Sequence, residues 1–286
     1  MTNELGNFLK ACRARRKPDE VGIPTGHGVR RTPGLRREEV AALTGISADY
    51  YTRLEQGRER HPSDAVLDAL VRGLLLDATE HQHLHNLARH ASGVRHPEQP
   101  EVESVRPSVL SLLGVLGDSP AYVLNRCNDV VASNPAGLAL LAGIDQWPEQ
   151  RRNTTRYLFL HPSARTLMVG WPEVAQNSVA DLRARFGDNP ADRRLKALVD
   201  ELMRKSEEFP AMWARHEVQP KSSGVKDFDH PAVGPMSLTY EVLSVSGADH
   251  RIVVYQAEPG SPDHDAVALL NLVVRRESPA VPEHRA

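Results

Sequence analysis

Cysteine is nearly absent from this chain of 286 residues: there are two, Cys12 and Cys127. They lie far apart with no metal-ligand spacing around them. That excludes a disulfide framework and reads as reduced thiols in a cytosol. Long apolar runs are also missing. Without about 18 consecutive apolar residues, no helix spans a bilayer, and no membrane partner is expected. The N-terminus, MTNELGNFLKACRARRK, carries its charges after its apolar residues and lacks an apolar signal core. The expectation is a cytoplasmic rather than a secreted protein. No charge of one sign dominates, with 35 Lys+Arg against 37 Asp+Glu. Enzyme signatures are missing too: there is no GxGxxG, no P-loop and no GxSxG. The expectation is no enzyme and no cofactor.

What is present is an ordinary globular composition, 40% apolar and 25% charged. It rules out a mostly disordered chain, a coiled-coil rod and a collagen-like protein. The length suits about two domains. The near-neutral total hides an asymmetry. Residues 1–62 hold 12 Lys/Arg and 8 Asp/Glu, leaving the remainder net negative. A basic end on an acidic bulk hints at a polyanion partner for the first segment.

The first ninety residues read as helices. Leu5, Phe8, Leu9 and Cys12 repeat at i, i+3, i+4, i+7. Residues 17–34, with three Pro and four Gly, read as a loop. A second helix is expected from near Leu35 to Gly45, with Glu38 and Glu39 favourable to its dipole. A third starts at the N-cap Ser47 and stops near Gly57. A fourth follows Ser63 and should bury Val66, Leu67, Leu70, Val71 and Leu74. A fifth spans roughly Thr79 to Ala91. Residues 93–106 lack apolar periodicity and read as a linker.

Beyond it, Leu110, Leu113 and Leu116 suggest a short helix. Residues 121–125 and 129–133 suggest a hairpin turning near Arg126–Asn128. Helical patterns run to about Phe209, the clearest with Leu195, Leu198, Val199, Leu202 and Met203 on one stripe. Three strands then follow at 224–230, 236–245 and 251–258. In the middle one Met236, Leu238, Tyr240 and Val242 alternate with Ser237, Thr239 and Glu241, the period of a half-buried strand. A last helix near 264–275 closes the pattern.

The strongest local signal is AALTGISADYYTRLEQG at 41–57. Ala41 is small where two helix axes approach. Gly45 can take the positive φ that ends a helix. Ile46, Tyr51 and Leu54 can face one hydrophobic centre. This is helix-turn-helix spacing. Ala41, Gly45, Ser47, Leu54, Glu55 and Gly57 fall where the pattern of phage-repressor-like (XRE-type) DNA-binding domains expects them, over about residues 5–90.

The long Gly/Pro loop followed by TPGLRREEVAALTGISADYYTRLEQGRERHPS, with FLHPSART, EEFPAMWARHEV, SGVKDFDHPAVGPMSLTYEVL and VVYQAEPGSP downstream, resembles actinobacterial XRE regulators of the MmyB-like type. That resemblance covers about residues 5–270. It implies an α+β chain: an all-α, five-helix helix-turn-helix domain at 1–92, a linker at 93–106, a PAS-like domain with a five-stranded antiparallel sheet and helices at 107–276, and a flexible tail at 277–286. The strand order read above, two strands, helices, then three strands, agrees with it.

Placed by that match, Ser47, Ala48, Asp49, Tyr50, Thr52 and Arg53 belong to the DNA-facing side. Arg53 could bond guanine O6 and N7 in bidentate fashion. Asp49 could accept from a cytosine amino group, or simply favour its helix dipole. Arg36 and Arg37 open the helix that crosses the DNA backbone in this family, and Arg58, Arg60 and His61 could grip phosphates. Arg30 and Arg31 read better as solvated loop. The partners implied are a double-stranded DNA operator, a second copy in a homodimer, and a small hydrophobic ligand, fatty-acid-like in relatives.

For that ligand the candidates are Tyr157, Trp171, Phe186, Phe209, Trp213, His216, Tyr240 and Tyr255, with Phe159 beside them. Each could equally fill core. Trp213 stands out beside Arg215, His216 and Glu217. The histidines His81, His83, His85 and His90 lack the Glu of HExxH, and no carboxylate of suitable spacing joins them in sequence. They read as a solvated helix face with no metal. The alternative function is a DNA-binding protein whose second domain only dimerises or docks a partner.

Overall fold

The computed structural model describes residues 3–24, 34–93 and 104–277. Arg30 and Arg31, most of the expected linker and the expected tail lie outside the described residues. Contacts group the described chain into two compact units. One holds 3–93 with 183–196 and 210–220; the other holds 104–182, 197–209 and 221–277.

The first unit is built on five helices: α1 (Glu4–Arg15), α2 (Arg37–Thr44), α3 (Ala48–Glu55), α4 (Asp64–Gly73) and α5 (Ala78–Ala91). Among its described residues, the expected loop contains a 3-10 turn, Asp19–Val21. Helix α2 begins two residues later than its apolar pattern suggests. Arg36 is its extended N-cap, and the Glu39 carboxylate accepts from the Arg36 N–H at 2.6 Å. Ser47 caps α3 by accepting from the Tyr50 N–H at 3.1 Å, and Ser63 and Asp77 cap α4 and α5. Phe8, Leu9, Cys12, Val40, Tyr51, Leu54, Leu67, Leu70 and Leu74 form the shared core. At about 1.5–3 kcal/mol per large buried side chain, this core outweighs the weak intrinsic stability of eight-residue helices. Val66 and Val71 were expected inside but are only partly buried, since they flank the stripe of Leu67, Leu70 and Leu74.

The second unit carries α6 (Pro107–Val115), β1 (Ala121–Leu124), β2 (Val130–Ser133), α7 (Pro135–Ala139), α8 (Thr154–Leu160) and α9 (Ala164–Leu167). Helices α10 (Trp171–Asp188), α11 (Arg193–Lys205) and α12 (Phe209–Trp213) follow in the chain, with 183–196 and 210–213 belonging to the first unit. Then come β3 (Ser223–His230), β4 (Gly234–Ser244), β5 (Arg251–Gln256) and α13 (Pro262–Glu277). The sheet is five-stranded and antiparallel, in the order β2-β1-β5-β4-β3. The chain is therefore α+β, as its pattern implied.

Strands β1 and β5 are covered on both faces. Ala121, Val123, Ile252 and Val254 pack with Val109 and Leu113 of α6. Tyr122, Leu124, Val253 and Tyr255, the alternate residues, line a cavity on the other face. The period-2 geometry of a strand sets this split. On β4 the predicted alternation is observed, with Met236 and Leu238 buried and Ser237, Thr239 and Glu241 exposed. On α11, Leu195, Leu198, Val199 and Leu202 are buried, but Met203 is 42% exposed, at the edge of the stripe.

Candidate nucleic-acid interface and ligand cavity

The two helices of the motif are held by one carboxylate. Glu55, at the end of α3, is only 6% exposed. Arg13 Nε of α1 donates to its Oε1 at 2.6 Å, and Arg37 Nε of α2 donates to its Oε2 at 2.7 Å. Burial pushes the Glu55 carboxyl up, but the hydrogen bonds and charges of Arg13 and Arg37 outweigh that and hold it below the usual range. Gly45 makes the turn at φ 71°, a left-handed conformation that favours glycine. Ala41, Tyr51 and Leu54 are buried, and Ile46 packs against the same core.

With that side sealed, α3 turns its other side to solvent. Ser47 and Asp49 are exposed, and Ala48, Tyr50, Thr52 and Arg53 are partly so. The Arg53 side chain keeps 43% of its surface in solvent. It pairs with Asp49 one turn earlier and lies 5.6 Å from the Tyr50 ring centre. The Thr52 hydroxyl instead donates back to the Ala48 carbonyl at 2.8 Å. Arg36, Arg58 and Arg60 are exposed near the two ends of the motif, whereas Arg37 is half-engaged by Glu55. The structure thus puts a solvent-facing helix, with Arg53 on its exposed side, where sequence spacing expected it. What spacing did not reveal was Arg13, which comes from another helix.

In the second unit a cavity of about 50 Å³ opens between the sheet and its helices. Three predicted ligand residues line it: Tyr157, Tyr240 and Tyr255. Its apolar wall includes Leu124, Leu141, Leu158 and Val253. Its polar side was not anticipated. Lys226 Nζ donates to the Tyr255 hydroxyl at 3.2 Å and sits 5.1 Å from the Tyr240 ring centre. Burial draws this ammonium down to about 8. The Tyr255 and Tyr122 hydroxyls are 3.0 Å apart. Arg251 donates to Asn128 Oδ1 at 2.5 Å and stands 3.8 Å from Asp181. The available signal was period: Lys226 shares the parity of buried Phe228 and His230 on β3, so a Lys falls on the inward side.

The other predicted ligand residues lie elsewhere. Trp171 and Phe209 both pack edge-to-face on Phe159, at 5.7 and 5.2 Å, and Trp171 Nε1 donates to the Leu158 carbonyl. Phe186, Trp213 and His216 belong to the first unit. Phe186 meets Trp213 edge-to-face at 5.7 Å, and the buried Arg183 guanidinium covers the Trp213 ring at 3.7 Å. Burial, then the Arg183 charge, pushes His216 down to about 3, so its imidazole is neutral. None of these five is among the residues lining the cavity.

The histidines on α5 separate by face. His83 is buried against the Phe8 ring. His81 and His85 face α4, where Asp68 joins them. A carboxylate does therefore approach the cluster, from a neighbouring helix and not from the local sequence.

Residues 105–270 match the family model of the MmyB-like transcription regulator ligand binding domain. Residues 4–84 match that of a helix-turn-helix domain. No curated protein matches the chain.

Proposed function

The chain belongs to the MmyB-like transcription regulators, joining a DNA-binding helix-turn-helix domain to a ligand-binding domain, and from that we propose that it reads a specific operator as a homodimer under control of a small hydrophobic ligand. The observation that carries the DNA half is the exposed side of α3 with Arg53 at its centre. In a helix-turn-helix the second helix enters the major groove with its N-terminal residues at base edges. Arg53 and Asp49 would read bases there, while Arg36, Arg58 and Arg60 would hold phosphates.

Dimerisation draws support from α6. Its sequence is apolar nearly all round, which normally means burial, yet Leu110, Leu112 and Val115 are 48%, 40% and 81% exposed. A second copy could cover them. The protein would act in the cytoplasm and would not be an enzyme.

The ligand reading rests on a mostly apolar cavity with a few placed polar groups. The Lys226 ammonium between two tyrosine rings favours an anionic or strongly polar head on an apolar body, which suits a fatty-acid-like molecule. A cavity of about 50 Å³ holds only a few waters, at roughly 10–15 Å³ each. A longer ligand must therefore select a form in which the apolar wall has moved. That preference for one form over another is what a ligand needs to change operator binding.

Random-site selection on the purified full-length protein tests the regulator reading. Enrichment of a symmetric or tandem sequence supports it, and no enrichment sinks it. Native mass spectrometry tests the ligand half. A stoichiometric small molecule supports a sensor, whereas its absence favours a domain that only dimerises or docks a partner.

A further inference from the structure

We propose that Asp68, His81 and His85 form a binding site for one divalent transition-metal ion of the zinc type, clamping α4 to α5. The site stands on these two helices alone and does not depend on the operator or ligand reading.

His81 and His85 are one turn apart on α5, so both imidazoles project from the same face. Their ring centres are 4.7 Å apart. Asp68 reaches them from α4: its Oδ1 is 3.9 Å from His81 Nε2 and 3.6 Å from His85 Nε2. The three donor atoms all lie within 4.8 Å of one another. Those separations are too long for hydrogen bonds. They are close to what a metal needs. Around a tetrahedral ion with ligands at about 2.0–2.1 Å, neighbouring donors stand about 3.3–3.4 Å apart. Closing the gap takes a few tenths of an ångström at Asp68 and up to about 1.4 Å for the widest pair of donors, which rotation of the exposed side chains must supply.

A second observation points the same way. His85 Nε2 is shut off from solvent and has no hydrogen-bond partner. A buried ring nitrogen normally finds one. A metal ion shared with Asp68 and His81 would satisfy it. The opposite ring nitrogen, His85 Nδ1, faces Asp64 Oδ1 at 4.0 Å. Asp64 is one turn before Asp68 on α4, so it can accept that N–H and present Nε2 as the ligating atom. Carboxylate–histidine–metal relays of this kind are common around bound zinc.

The donor set also indicates the class of ion. Two imidazoles and one carboxylate suit zinc and its neighbours; magnesium and calcium prefer oxygen alone. The His81 and Asp68 side chains remain 45% and 49% exposed, so water can complete the coordination. The sequence carries the pattern as two facing i, i+4 pairs, Asp64/Asp68 and His81/His85.

The test is a titration of tag-free full-length protein with Zn²⁺ against a chromophoric chelator. One tight site is expected. His81→Gln and Asp68→Asn should each weaken it by at least about tenfold, with unchanged circular dichroism since both side chains reach solvent. His61→Gln and His90→Gln should leave it unaltered. Because His85→Gln could disturb packing, Co²⁺ provides a second readout. Wild type should give the intense visible spectrum of a four-coordinate site, and His81→Gln should lose it. Zinc binding that survives the His81→Gln/Asp68→Asn double variant, or a Co²⁺ spectrum identical in wild type and variant, overturns the assignment.

Discussion

Arg37 Nε, at the first residue of α2, donates to Oε2 of Glu55, the last residue of α3, at 2.7 Å. The other carboxylate oxygen is held by Arg13 from α1 at 2.6 Å. One buried charge therefore fixes the crossing of the two motif helices and ties both to a third. Removing one partner of a buried pair leaves the rest uncompensated. Glu55→Gln should lower unfolding stability by about 3 kcal/mol, measured by urea denaturation. A loss within error would mean that the carboxylate is dispensable.

The same group makes an acid-side prediction. Its folded-state carboxyl is held below the value of 4.5 that it has when unpaired. The contribution of Glu55 is therefore fully present above about pH 4.5 and is lost as pH falls through the depressed folded value. Wild type should lose stability faster than Glu55→Gln below that point. Parallel curves would contradict the linkage.

On DNA, Arg53→Ala should cost about 1–3 kcal/mol and relax one base position, whereas Arg36→Ala should weaken all sequences alike and reduce the salt slope by about one. Asp49→Asn releases Arg53 from its partner on the same helix. It should raise non-specific affinity while narrowing the gap to the selected site. Binding assays across a salt series on matched and scrambled duplexes separate these outcomes.

In the second unit, Lys226 is held at about 8 against an ordinary 10.5. The unfolded chain then binds more protons between those values, so stability should rise with pH from about 8 to 10.5. Lys226→Met should abolish that rise. It should also be more stable at pH 7 by about 1–3 kcal/mol, discounted for the partial exposure of the residue. If the cavity takes an anionic head, the variant should lose any preference for dodecanoate over dodecanol in a binding competition. An unchanged preference would point to another head-group contact.

Both cysteines are buried. Desolvation, only partly offset by Arg15, pushes the Cys12 thiol up to about 12. At neutral pH it holds almost no thiolate, the reactive form. Neither thiol should react with a disulfide reagent in the native protein, and both should react in denaturant. Fast native labelling at Cys12 would show that α1 opens readily.

Local sequence was enough for the five helices of the first unit, the turn at Gly45, the five strands and the alternating faces of β4. Each rests on local chemistry: a cap at Ser47, a positive φ at Gly45, period 3.6 through Leu5, Phe8 and Leu9, and period 2 through Met236, Leu238 and Tyr240. Contacts between distant segments were beyond its reach. Arg13 and Glu55 are 42 residues apart, and nothing in either neighbourhood marks them as partners. The charged neighbours of Trp213 in sequence favoured it, but the cavity took its tyrosines from β1, α8, β4 and β5 and the Lys226 ammonium from β3. Which side chains share a space is set by how strands pair and helices pack, a three-dimensional matter that no spacing rule encodes. For the same reason only the packing of α4 on α5 could bring Asp68 to His81 and His85.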